Sequence, residues 1–144
     1  MRRSWMTTMI VAPLWVAAAA AGAEGFQVVV HTSVEGSHIS RSALADIYRK
    51  HANRWGNGVR IRPVDQSGHA PVRQAFTRDV LGTSLGGVQE YWKERLAVDR
   101  EMPPRAKASD EEVLAFVASE KGAIGYVSEG VELPQGVKVV AVTE

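Results

Sequence analysis

Ser67, Gly68 and Arg73 are the residues whose types and spacing could do chemistry, within Val64-Asp65-Gln66-Ser67-Gly68-His69-Ala70-Pro71-Val72-Arg73-Gln74-Ala75-Phe76. A β-like run, Val59-Arg60-Ile61-Arg62-Pro63-Val64, precedes the stretch, and Val72, Ala75, Phe76 and Val80 fall on one helical face after it. The order is strand, tight polar turn, helix N-terminus. Backbone N–H groups at such a turn lack intrahelical acceptors, and the helix dipole puts partial positive charge there. A small hydroxyl residue, a glycine and a nearby arginine then offer an oxyanion backbone donors, a side-chain donor and a formal charge. The same residues also suit an ordinary turn, with Ser67 as N-cap and Gly68 as turn glycine. Spacing alone leaves both readings open.

Other chemistry finds little support. His31, His38, His51 and His69 show no paired metal-ligand spacing, so no metal site is expected. There is no GxSxG elbow and no cysteine nucleophile. Ser67 near His69 is not a catalytic pair without an orienting acid. The sequence therefore reads as a non-enzyme that needs no cofactor.

The elements that must position the turn begin after a leader. Arg2 and Arg3 form a basic start, Met9 to Ala21 is almost continuously apolar, and Ala21-Gly22-Ala23 has the small residues of a cleavage site. The apolar run is short of the roughly 20 residues that span a bilayer. Residues 1–23 are thus expected to be a cleaved signal peptide, with export to a periplasm and no membrane span in the mature chain. A lipid anchor on cysteine is excluded by the absence of cysteine. Removing 23 of the 144 residues leaves 121, enough for one domain over residues 24–144. Loss of Arg2 and Arg3 takes Lys+Arg from 17 to 15 against 16 Asp+Glu, a formal charge of about −1. The pI of 8.1 therefore does not point to nucleic acid or a membrane surface.

Along the chain, Phe26-Gln27-Val28-Val29-Val30-His31 reads as a strand buried on both faces, as in a parallel or mixed sheet. Thr32 to His38 is a polar loop. Ser40 caps a helix carrying Leu44, Ile47, Tyr48 and His51. Trp55 follows in the exit loop, as a core lid or a ligand-stacking ring. Ser84 caps a helix with a stripe of Leu85, Val88, Trp92 and Leu96, Tyr91 beside it. Met102-Pro103-Pro104 is an extended connector. Ser109-Asp110-Glu111-Glu112 is a capping box for a helix buried through Val113, Phe116 and Val117, with Gly122 as its C-terminal stop. Ala123–Val127 and Val137–Val142 are strands, and Gly125 implies close backbone approach. Strands and helices alternate throughout, the pattern of an α/β layer domain.

Several of these segments occur together and in order. They are Ser40-Arg41-Ser42-Ala43-Leu44-Ala45-Asp46-Ile47-Tyr48, Trp55-Gly56-Asn57-Gly58, Ile61-Arg62-Pro63-Val64, Ser67-Gly68 with Phe76 and Val80-Leu81-Gly82, Tyr91-Trp92, Pro103-Pro104, and Gly122-Ala123-Ile124-Gly125-Tyr126-Val127. The set, from about Phe26 to Val142, resembles the phosphate-binding proteins of phosphate ABC transporters, in particular short, single-lobe members. The resemblance implies a single lobe of a type II periplasmic-binding-protein fold, a mixed sheet flanked by helices. In full-length members two lobes clamp phosphate, and one of them offers a Ser-Gly-Thr turn at a helix N-terminus. That turn aligns with Ser67, Gly68 and His69.

The chain departs from the pattern. Where the family has an arginine four residues before the serine, this chain has Pro63, with Arg62 beside it, and His69 replaces threonine. Two readings of different class follow. In the first, an exported protein binds inorganic phosphate or a similar oxyanion through Ser67, Gly68, His69, Arg73 and Arg62, in the service of phosphate ABC transport. A second copy or another envelope protein would complete its cleft. In the second, a ligand-free lobe docks on an envelope partner through an apolar patch, for which Thr32 to His38, Tyr91 and Trp92 are candidates.

Overall fold

The computed structural model describes residues 25–144, so the leader lies outside the described residues. Among them no helix is long and apolar enough to cross a membrane. Six strands form one sheet: β1 (Phe26–His31), β2 (His38–Ser40), β3 (Arg62–Gln66), β4 (Arg105–Lys107), β5 (Ala123–Ser128) and β6 (Val137–Thr143), in spatial order β2-β6-β1-β5-β3-β4. β1 runs antiparallel to both neighbours, β5 and β6. β2 is parallel to β6, and β3 is parallel to β4 and β5. The sheet is therefore mixed, as expected.

Val28, Val29 and Val30 are all buried because the sheet is covered on both faces. One layer packs Val28, Val30, Ile124, Tyr126 and Val140 against α1 (Arg41–Tyr48) and the helix following β3. At its centre Phe76 stacks on Tyr126 with centroids 3.9 Å apart, and Tyr48 meets Phe76 at 4.7 Å. Such ring pairs add about 0.5–1.5 kcal/mol each beyond the area they bury. The other layer packs Val29, Val64 and Val127 against Val113, Leu114 and Val117 of α4 (Asp110–Ser119). Gly125 lies under α4, and a Cβ there would stand 2.8 Å from Val113 and Val64.

The serine caps form as expected. Ser40, Ser84 and Ser109 accept from the N–H groups of Ala43, Gly87 and Glu112 at 3.1–3.2 Å. The capping box closes one residue early, since Glu112 accepts from Ala108 N–H at 2.9 Å.

Five expectations need correction. The strand before the central turn is Arg62–Gln66, shifted toward the turn, so Asp65 and Gln66 belong to it. The loop after β1 is not wholly a polar surface, because Val34 is 3 % exposed. α1 ends at Tyr48, so His51 lies beyond it. α4 ends at Ser119 with Glu120 extended, so Gly122 belongs to the turn into β5. α3 (Leu85–Asp99) departs in its packing: of its apolar stripe only Val88 is buried, while Leu96 is 47 % exposed. Trp55 takes the lid role. It packs on the core and donates its indole N–H to Gly122 O at 2.9 Å.

A candidate anion site at the strand ends

β3, β4 and β5 are parallel, so their C-terminal ends meet at one edge, where α2 (Pro71–Phe76) and α4 both begin. Ligands of open α/β sheets settle at such an edge. α2 runs on into one π-helical turn, Thr77–Leu81, which ends at Gly82. Val72, Ala75, Phe76 and Val80 hold it on the sheet, all at most 7 % exposed.

The turn is Ser67 to Ala70. Ser67 N–H is used on Lys107 O at 2.9 Å, and Ala70 N–H returns to Ser67 O at 3.0 Å. Ser67 is not the N-cap. Ala70 holds that position, with no side-chain cap, and Pro71 opens the helix without an N–H to satisfy. Three donors remain. The N–H groups of Gly68 and Val72 have no acceptor among the described residues, and His69 N–H has only Ser67 Oγ at 3.5 Å. A Cβ on Gly68 would meet nothing within 4 Å, and its φ is not positive. Nothing in the fold of the described residues requires glycine there.

Arg73 does not point out of the turn. Its Nη1 donates to Gln66 O at 2.5 Å and its Nη2 lies 3.3 Å from Asp65 Oδ2, both side chains at most 15 % exposed. Asp65 also accepts from the Tyr126 hydroxyl and from Gln66 N–H. Gln66 Nε2 in turn donates to Tyr126 O at 3.1 Å and to Asp110 Oδ1 at 2.6 Å. Asp110 Oδ1 takes Ser128 N–H as well, at 3.2 Å. Burial raises the Asp65 carboxyl, against the opposing pulls of Arg73, Tyr126 and Gln66. Burial and the neighbouring carboxylate both raise the Tyr126 hydroxyl, so it stays a donor. Asp65, Gln66, Arg73, Tyr126 and Asp110 thus form a polar network under the turn that links β3, β5, α2 and α4. Sequence reasoning missed it, since its members lie as many as 61 positions apart.

Arg62 is not brought to the site. It opens β3 at the opposite end of the strand, exposed, with Nε 3.9 Å from Glu120. Five extended steps along the chain put it about 16 Å from Ser67. Ser67 is half-buried, and Gly68 and His69 are exposed. A cleft of about 290 Å³ adjoins the turn, lined on either side of it by Gln66, Ala70, Ser109 and Asp110. No group of three or more potential metal ligands occurs among the described residues.

Taken with the order of the strands, this arrangement has the fold of the periplasmic-binding-protein lobe that the resemblance implied. Solved structures of that class superpose on it. An ABC-type phosphate transport receptor from Vibrio cholerae matches with a TM-score of 0.63 at 19 % identity, over 82 % of this chain and 46 % of that one. A proposed phosphate ABC transporter substrate-binding protein from Clostridium perfringens, solved with bound phosphate, matches at 0.62 and 21 % identity, over 82 % and 44 %. PstS from Borrelia burgdorferi matches at 0.64 and 13 % identity, over 83 % and 47 %. The chain spans about half the length of these proteins. No protein-family model matches the sequence, and no curated protein matches it.

Proposed function

We infer that the protein is an exported solute-binding protein that takes phosphate or a similar oxyanion at the Ser67–His69 turn, linked to phosphate ABC transport. Residues 1–23 are its signal peptide, the periplasm its compartment, and it is not an enzyme. The observation that carries this reading is the turn's spare donor set. Three N–H groups and Ser67 Oγ fall between Ser67 and Val72, with a glycine among them whose missing Cβ leaves open space, at the helix start where a lobe of this fold faces its ligand. The likeness to phosphate transport proteins supports it. Arg73 acts from behind, holding Gln66 O and so the end of β3. Arg62 falls outside the site. An anion on this open edge is screened by water, so tight binding calls for a second copy or another envelope protein over the turn.

Isothermal titration with phosphate, with sulfate as control and at low salt, tests the reading. Saturable phosphate binding is expected, weakened about tenfold or more in Ser67→Ala and Gly68→Ala by loss of charge-assisted hydrogen bonds or by steric block. Gly68→Ala is the informative variant, because open space around the glycine lets the fold keep its melting temperature. No heat, and no phosphate-induced rise in melting temperature up to millimolar concentration, would overturn it.

α3 supports a second reading, a lobe that docks on a partner. It is a 15-residue helix with Trp92 half-buried, Leu96 47 % exposed and Val98 73 % exposed. Light scattering is expected to show concentration-dependent mass that Trp92→Glu abolishes if a second copy covers this face. A constant monomer mass in both proteins rules the second copy out.

A further inference from the structure

The far end of the sheet carries a groove of about 640 Å³ that the anion turn does not share. Ile47, Ile61 and Pro104, all buried, and half-buried Phe116 give it an apolar floor. Lys50, Arg60, Arg62 and Arg105 line it too, against a single carboxylate, Glu120. These cations differ from most arginines elsewhere, of which only Arg100 likewise has no side-chain partner among the described residues. Arg41, Arg73 and Arg95 each have a carboxylate within 3.3 Å, at Glu144, Asp65 and Asp99. Arg49 and Arg54 donate to the carbonyls of Leu81 and Gly58 at 2.8 and 2.9 Å. In the groove Arg62 has only Glu120 at 3.9 Å. The side chains of Lys50, Arg60 and Arg105 have no hydrogen-bond or ion-pair partner among the described residues.

Ordinary surface charge alternates in sign, and like charges that share a concavity repel one another. Here four cations surround one depression and one acid offsets them. The volume lies within the 300–1,000 Å³ typical of small-molecule sites, which combine an apolar lining with a few polar groups. Guanidinium forks match carboxylate and phosphate oxygens in pairs. A flat anionic membrane could touch the rim but not the floor. We propose that this groove is a second binding site, for a small organic polyanion whose charged groups meet Lys50, Arg60, Arg62 and Arg105 while its apolar body covers Ile61 and Phe116. The proposal does not rest on the phosphate reading, because the two sites sit at opposite ends of β3.

Benzene-1,3,5-tricarboxylate is a suitable probe, with citrate supplying charge alone and benzyl alcohol an apolar body alone. Calorimetric titration at low salt is expected to give saturable binding of the tricarboxylate, about tenfold tighter than citrate, and none of benzyl alcohol. Arg60→Gln with Arg105→Gln should weaken it about tenfold or more, as should raising the salt to about 0.5 M. Both arginines are exposed, so an unchanged melting curve separates lost binding from lost fold. Gly68→Ala, which tests the phosphate turn, should leave tricarboxylate binding unchanged. No saturation up to about 10 mM, an unchanged affinity in the double variant, or citrate binding as tightly as the tricarboxylate would each overturn the proposal.

Discussion

Gly122→Ala is expected to destabilise the protein by about 4 kcal/mol or more, a large share of the 5–15 kcal/mol that holds a typical domain. Gly122 has φ +78°, a left-handed backbone that costs a residue with a Cβ about 1–3 kcal/mol. The added methyl would also stand 2.2 Å from Arg60 O and 3.0 Å from Val59 Cγ1. The backbone cannot move away freely, because three contacts converge on this residue. Gly122 O accepts the Trp55 indole N–H at 2.9 Å and Arg62 N–H at 3.1 Å, and Gly122 N–H donates to Ser33 Oγ at 3.1 Å. Gly58→Ala is the control: φ is +85° but nothing lies within 4 Å, so only the backbone cost of about 1 kcal/mol should appear. Denaturant melts of the two variants measure the difference, and equal losses would refute the steric account.

Arg73→Ala is expected to cost about 3 kcal/mol, the lower end for breaking a buried ion pair, since Asp65 keeps the Tyr126 hydroxyl and Gln66 N–H. The pH dependence identifies the cause. The Asp65 carboxyl is already raised in the folded protein, and Arg73 is the largest of the pulls that oppose the rise. A raised folded pKa means that the folded state holds its proton more tightly than the unfolded chain. The stability it contributes is full below the unfolded value near 3.8 and is lost as pH rises through the folded value. Removing Arg73 widens that window upward. The variant should therefore lie closer to the parent in melting temperature at about pH 4 than at about pH 7. An equal deficit at both would show that the pair is not responsible. Weaker phosphate binding by this variant would report on the end of β3 rather than on a contact between arginine and anion.

What could be read from the sequence was local. The valine run at residues 28–30, the caps at Ser40, Ser84 and Ser109, and the close approach at Gly125 each follow from one residue and its neighbours. β4 escaped notice because three residues of an edge strand, Arg105–Lys107, carry no apolar alternation. α3 misled because helical spacing of Leu85, Val88, Trp92 and Leu96 tells which face is apolar, not whether anything covers it. At the site, Ser67 and Gly68 were found as a strand-to-helix turn. The inward aim of Arg73 was not, because it depends on Asp65 and on Tyr126 from a distant strand. Arg62 was placed wrongly for a related reason: nearness in sequence to Ser67 becomes distance when the intervening residues are extended.

The antiparallel strand β1 lies near the middle of the sheet, and both its partners come from the other end of the chain. Val28 pairs with Tyr126 on one side and Val140 on the other. Neither ladder can form until synthesis has passed those residues, so a growing chain has no sheet centre to close. Contacts this remote make for slow folding. A protein so wired stays open while it is being made, and its sheet closes from the centre only once the final strands are present.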